Sequence, residues 1–174
     1  IGFNLYHDLL KRTIHAIKNN YKLDIKDASL DEIEINPGIA CIIPETYLPD
    51  VHERLILYKR IASAELEDEL KELKVEMIDR FGPLPEQTQN LFESSSLKNL
   101  SQNIGILKIN IYDDKAEITL NDNNNIDTSK IINLIQTKPQ QFHLKNQKTL
   151  VVKEVMEADQ FRIKKIGNIV KSLV

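Results

Sequence analysis

Residues 74–87 read KVEMIDRFGPLPEQ, and this stretch decides how the middle of the chain folds. Apolar residues recur at helical steps before it, and then Gly82 and Pro83 follow in succession. Glycine suits the left-handed backbone just past a helix end, and proline prevents the helix from continuing. Pro85 is suited to the first turn of a new helix. The stretch therefore predicts two helices that meet at a sharp corner.

Helical and strand patterns arrive in blocks along the rest of the chain. Apolar residues at three- and four-residue steps predict helices over residues 3–21, 51–64, 65–81, 85–103, 127–137 and 157–173. Alternating or short apolar runs predict strands over residues 32–35, 39–43, 107–113, 115–121, 142–144 and 149–153. The third and fourth of these strands are joined at Asp113-Asp114, which predicts a hairpin. Blocks rather than strict alternation favour an α+β fold, in which a helical hairpin region packs with a small, mostly antiparallel sheet and a C-terminal helix.

The composition excludes several classes of protein. The 174 residues carry a net charge of −3, whereas surfaces that capture nucleic acid broadly are usually basic. A single cysteine, Cys41, excludes an intrachain disulfide and a multi-thiolate zinc site. No apolar run approaches the roughly 20 residues of a membrane span, and no signal peptide is present, so we expect a cytoplasmic protein. The first residue is Ile1, not methionine, which indicates a piece of a longer protein.

A search for catalytic motifs gives almost no support for an enzyme. Neither phosphate-binding glycine motif, G-x-x-x-x-G-K-[ST] or G-x-G-x-x-G, occurs in the chain. The four histidines are scattered, and none lies in an H-E-x-x-H motif. Cys41 falls in an apolar run, where a thiol is usually buried and inert. We therefore predict no catalytic residue, no metal and no cofactor in this chain.

The helix predicted over residues 65–81 segregates its charges. At about 100° per residue, one stripe is apolar: Leu66, Leu70, Leu73, Met77 and Phe81. The neighbouring stripe is acidic: Glu65, Glu69, Glu72, Glu76 and Asp79. Like charges at these steps repel, and anions near a helix C-terminus oppose the macrodipole. Two interpretations remain open at this point, a solubilising face and a docking face for arginines of a partner.

Basic residues lie on the first and last predicted helices. They are Lys11, Arg12 and Lys18 at one end, and Lys164, Lys165 and Lys171 at the other. Such runs are usually solvated helix faces, and no aromatic residues interleave them as in a platform that stacks single-stranded bases. An auxiliary nucleic-acid-binding module that uses these end helices stays open as the alternative function.

Four sequence blocks together resemble a known family. They are GFNLY (2–6), ACIIPETYLPD (40–50), RLILYKRIA (54–62) and ELKELKVEMIDRFGPLP (69–85). In this order and spacing they are similar to the C-terminal domain of bacterial transcription-repair coupling factor (Mfd). The resemblance covers residues 1–105, whereas the strand-rich remainder, 106–174, carries no further motif.

The resemblance implies that residues 1–174 are a single, non-catalytic regulatory domain of a larger DNA translocase. Separate motor modules of that translocase would use ATP and Mg²⁺ to push stalled RNA polymerase off damaged duplex DNA. Another module would recruit the damage-recognition protein UvrA. The C-terminal domain would dock on that UvrA-recruiting module and mask it, with no membrane involved.

The resemblance also names partner-binding residues. The family's contacts include acids at the end of the helix before R-F-G, and these positions correspond to Glu76 and Asp79. Glu72 and Glu69 extend the site by helical geometry alone. Arg80 is expected to brace Glu76 from one turn away.

Overall fold

The computed structural model describes residues 33–122, 124–153 and 159–174. Residues 33–174 form one compact unit. The helix predicted over residues 3–21 lies outside the described residues, and so do Lys11, Arg12 and Lys18.

Five helices and five strands make up this described part of the chain. The helices are α1 (Val51–Ser63), α2 (Glu67–Phe81), α3 (Glu86–Ile104), α4 (Thr128–Thr137) and α5 (Asp159–Ser172). The strands are β1 (Glu34–Asn36), β2 (Ile106–Ile111), β3 (Lys115–Leu120), β4 (Phe142–Asn146) and β5 (Thr149–Lys153). All these elements follow the predicted patterns to within a few residues.

The five strands form one mixed sheet in the order β1-β2-β3-β5-β4. β2 and β3 form the hairpin predicted at Asp113-Asp114, and β4 and β5 form a second antiparallel pair. β3 joins the two hairpins by pairing with β5. Only β1 runs parallel to its neighbour β2. The predicted α+β fold with a mostly antiparallel sheet is confirmed.

One face of the sheet forms the larger hydrophobic core. Strand residues such as Ile109, Ile118 and Leu150 are fully buried there. The second half of α3, together with α4 and α5, covers this face, with the side chains of Leu97, Ile104, Ile131, Ile163, Ile166, Val170 and Leu173 in the same core. Sheet and helices therefore occupy two layers, as an α+β domain requires.

The α1–α2 hairpin has a second core of its own. It is formed by Ile43, Leu48, Leu57, Ile61, Ala64, Leu70, Leu73, Met77, Leu84 and Phe92. Phe92 comes from the first half of α3, whose second half packs on the sheet. Helix α3 thus connects the hairpin to the sheet, and α2 residues outside the second core, such as Glu72 and Asp79, are exposed.

The strand predicted over residues 39–43 is wrong. This segment lies against the start of α3 without strand pairing. The backbone of Ile42 is satisfied by that helix instead, because its N–H donates to the Gln87 carbonyl at 3.1 Å and its carbonyl accepts from the Thr88 hydroxyl. Ile42 is exposed and Ile43 is buried, so these side chains alternate as they would in a strand. The segment nevertheless pairs with no strand among the described residues.

Helix α2 begins two residues later than predicted. Leu66 has an extended backbone (φ −99°, ψ 145°) and is 64% exposed, so it does not belong to the buried stripe. The Glu69 carboxylate accepts hydrogen bonds from the N–H groups of Glu65 and Leu66, at 2.9 and 3.1 Å. Backbone N–H groups at the start of a helix have no carbonyl partner within the helix, and the Glu69 carboxylate satisfies these two. The helix therefore begins at Glu67, directly after them.

The predicted corner after α2 is confirmed. Gly82 has φ 86° and ψ −169°, a conformation suited to glycine, and its N–H donates to the Ile78 carbonyl. The Tyr47 hydroxyl donates to the carbonyls of Met77 and Gly82, at 3.2 and 2.9 Å. The corner is thereby tied to the loop before α1, which fixes the direction in which α2 presents its surface.

Candidate functional site

An ion-pair cluster joins α1 to α2. Both terminal guanidinium nitrogens of Arg60 donate to the Glu76 carboxylate, Nη1 to Oε1 at 2.8 Å and Nη2 to Oε2 at 2.6 Å. Arg80 Nη1 donates to the same Oε1 at 3.1 Å, which confirms the predicted brace, and Arg80 also pairs with Glu53. Two arginines and two glutamates therefore alternate across the hairpin.

The cluster stabilises the charged form of Glu76. The hydrogen bonds from Arg60 and then Arg80 lower the pKa of Glu76 to about 2, against the opposing effect of burial. The same bond to Glu76 raises the pKa of Arg60. A carboxylate that already accepts a bidentate guanidinium has little capacity left for a second one. The partner-binding role of Glu76 stays a prediction, and its direct contacts here lie within the hairpin.

Glu69 also has a local task. Its carboxylate caps the N-terminus of α2 through the N–H groups of Glu65 and Leu66, as described above. An anion at this position also complements the helix macrodipole. Glu69 is thus engaged in starting the helix, although its side chain remains near the surface.

Glu72 and Asp79 differ from the other two predicted site residues. Both are exposed, and neither side chain forms an ion pair or hydrogen bond with the described part of the chain. They lie seven residues apart, so they share one side of α2 about two turns apart. The structure therefore separates the four predicted carboxylates into two engaged ones and two available ones.

A shallow groove of about 350 Å³ runs beside the acidic stripe. Its lining residues are Arg60, Ser63, Ala64, Glu69, Glu72, Leu73 and Glu76. The groove brings three of the four predicted site residues together, whereas Asp79 lies outside it. Apolar carbon atoms of Leu73 and Ala64 beneath a carboxylate rim suit the stem and head of a basic side chain.

Sequence reasoning missed Arg60 and Glu53 as members of this site. Arg60 lies 16 residues before Glu76 on another helix, and Glu53 lies 27 residues before Arg80. Helical periodicity relates residues three or four apart, so it carries no information about such contacts. A signal existed only in the short connection between α1 and α2, which makes the two helices neighbours.

Known proteins are similar to this chain over the region that contains the α1–α2 hairpin. The family model described as the TRCF domain matches residues 38–131, which is more than half of the chain. This region includes the α1–α2 hairpin and all four predicted carboxylates.

The chain belongs to the TRCF domain family.

Relatives of this TRCF domain carry the name transcription-repair-coupling factor. One from Escherichia coli is 36% identical over 144 residues, 83% of this chain, and one from Haemophilus influenzae is 37% identical over 139 residues. A third, from Buchnera aphidicola of Acyrthosiphon pisum, is 30% identical over 173 residues, 99% of this chain. The matched regions are 12%, 12% and 21% of these proteins, so the chain spans a small part of each relative.

A solved structure shares the fold of this TRCF domain. It is the crystal structure of the C-terminal domain of a transcription-repair coupling factor, at a TM-score of 0.70 and 20% sequence identity. The match covers 83% of this chain and 93% of that one. The matched part thus extends beyond the motif-bearing residues 1–105.

The other features of this TRCF domain that could indicate a function are metal ligands, membrane helices, the Cys41 thiol and the lysines of α5. In the described residues, no three His, Cys, Asp or Glu side chains group as metal ligands would, and no helix could cross a membrane. Burial raises the pKa of the Cys41 thiol to about 12, which keeps it protonated. Lys164 and Lys171 are exposed on α5, whereas Lys165 is half-buried. The nucleic-acid alternative therefore keeps two exposed lysines on this helix and stays a prediction.

Proposed function

We propose that this TRCF domain is a non-catalytic regulatory domain that docks on the UvrA-recruiting module of its own coupling factor. The proposal rests on family membership and on the two available carboxylates, Glu72 and Asp79, on the solvent-facing side of the hairpin. In the docked state the domain covers the surface that UvrA would bind. Residues 1–174 would then act as one autoinhibitory unit.

Basic side chains of the module are the chemical complement of this surface. Carboxylates accept guanidinium groups through two parallel hydrogen bonds, and Arg60 and Glu76 form such a pair within the hairpin. Exposed ion pairs contribute about 0 to 1 kcal/mol each. A contact built from several of them is reversible, so the motor modules can release it when they engage DNA or polymerase.

The activity of the whole protein is part of the same proposal. The coupling factor would be an ATP-dependent DNA translocase that removes stalled RNA polymerase and recruits UvrA for nucleotide excision repair. ATP and Mg²⁺ would bind its motor modules, not this domain. The matched regions are 12% to 21% of the three relatives named above, so the activity of the whole protein would depend on parts outside this chain.

Glu72 and Asp79 are exposed and have no side-chain partner among the described residues. This observation carries the proposal, and charge reversal tests it. We expect Glu72→Lys with Asp79→Lys, in the full-length coupling factor, to raise its affinity for UvrA by about 10-fold, since two attractions become repulsions. The measurement is a titration with labelled UvrA at fixed salt.

A matched control reverses two acids on the sheet side. Asp114→Lys with Asp122→Lys changes the net charge equally but lies on the β2–β3 hairpin and the loop after it. Asp122 pairs with Lys148, so urea unfolding must first show that this variant is folded, and its UvrA affinity should then equal that of the wild type. Unchanged affinity in the Glu72 and Asp79 variant, with the fold intact, would show that these carboxylates do not hold the domain in place.

A further inference from the structure

Two apolar side chains lie exposed on α2 where its predicted amphipathic pattern places none. Val75 is 57% exposed and Ile78 is 41% exposed, whereas Met77 between them is fully buried. Exposed single apolar residues are ordinary on protein surfaces. These two are distinguished by their position relative to the available carboxylates.

Helical geometry places the pair beside those carboxylates. At about 100° per residue, Glu72, Val75 and Asp79 fall within roughly 60° of one another, and Ile78 follows at the far edge. We call this the outer face of α2: Asp68, Lys71, Glu72, Val75, Ile78 and Asp79. Within it Lys71 pairs with Asp68 at 2.8 Å, so Glu72 and Asp79 are the carboxylates of this face that have no ion pair with the described residues.

Neither helix stability nor solubility accounts for these side chains. Valine and isoleucine are β-branched, which lowers helix propensity slightly at an exposed position in comparison with lysine or glutamate. Exposed apolar atoms also gain nothing from solvent. Contact with a partner would bury these two side chains, and burial of apolar area lowers the free energy of the complex.

Charge alone would make a weak docking surface. Exposed ion pairs contribute little, whereas stable interfaces have a dry apolar centre within a polar rim. The outer face has this arrangement along the helix axis, because Val75 lies between Glu72 and Asp79, each about one turn away.

We propose that the partner surface presents an apolar side chain that packs on Val75 and Ile78, with basic groups beside it that pair with Glu72 and Asp79. This inference rests on the proposed function, since it specifies the chemistry of the same docking contact. It assigns the apolar pair to the centre of that contact and the carboxylates to its rim.

Polar substitution of the pair tests the inference in the full-length protein. We expect Val75→Ser with Ile78→Ser to raise the affinity for UvrA by about 3- to 10-fold, because the docked state loses its apolar centre. The matched control is Val51→Ser with Leu55→Ser, an exposed apolar pair on α1. By helical geometry that pair lies roughly opposite Arg60, so its replacement should leave the affinity unchanged.

The outcomes separate this inference from the proposed function. If the carboxylate reversal raises the affinity and Val75→Ser with Ile78→Ser does not, the apolar centre is overturned and the proposed docking stands. If neither variant changes it, both proposals fail. If the α1 control raises the affinity as much as the α2 pair, general loosening of the hairpin explains the result, and the apolar centre is overturned.

Discussion

Removal of residues 33–174 from the full-length coupling factor is expected to raise its affinity for UvrA by about 10- to 100-fold. Energetic coupling between two sites is typically about 1 to 3 kcal/mol, which corresponds to this range. Deletion removes the apolar and the charged docking contacts of α2 at once, so its effect should exceed that of any substitution on α2. Binding of labelled UvrA to the two proteins, at equal salt, measures the difference.

Two comparisons make the deletion interpretable. ATP hydrolysis by the shortened protein checks that the motor modules remain folded. The Glu72 and Asp79 reversal leaves the domain in the chain and removes only part of the docking contact, so it should raise the affinity for UvrA less than the deletion does. Equal UvrA affinity with and without the domain would contradict masking.

Replacement of Glu76 by glutamine is expected to destabilise this domain by about 1 to 2 kcal/mol at pH 7. The variant leaves Arg60 and Arg80 without their shared carboxylate, and loss of a hydrogen bond to a charged group costs about this much. The Glu76 side chain is 33% exposed, so solvent screening reduces the effect that a pKa near 2 would suggest by itself. Urea unfolding of the domain measures the change.

The effect of Glu76 should depend on pH in a definite direction. Folding lowers its pKa from 4.5 to about 2, chiefly through the hydrogen bond from Arg60. Its contribution is therefore fully present above pH 4.5 and is lost as the pH falls through about 2. The stability difference between the wild type and the variant should shrink over that window.

Asp79→Asn provides the matched control for Glu76→Gln. Asp79 is exposed on the same helix and has no ion pair with the described residues, so its replacement should leave the unfolding free energy nearly unchanged. Equal destabilisation by the two substitutions would show that the cluster seen in the structure contributes nothing specific.

Local elements of the fold were accessible from the sequence. The corner at Gly82 and the hairpin at Asp113-Asp114 depend on backbone preferences of a few adjacent residues, and both are confirmed. The segment 39–43 was not accessible, because its backbone groups are satisfied by α3 more than 40 residues later. The parallel pairing of β1 with β2 spans an even longer stretch of sequence, from Glu34 to Lys108.

The candidate site shows the same difference between local patterns, which the sequence reveals, and contacts that are distant in sequence. Helical periodicity correctly places Glu69, Glu72, Glu76 and Asp79 on one side of α2, because it depends only on residues of that helix. It cannot distinguish their tasks, because the partner that engages Glu76 comes from α1. The available carboxylates are identified only by the contacts that they lack among the described residues.

Photo-crosslinking tests most directly whether the outer face of α2 contacts the UvrA-recruiting module. A photoreactive amino acid in place of Lys71, an exposed member of that face, should crosslink to this module in the resting full-length protein. The same group in place of Asp114, on the β2–β3 hairpin, should not, and the Glu72 and Asp79 reversal should weaken the crosslink at position 71. If position 71 reaches the module no more often than position 114, the proposed docking surface is wrong.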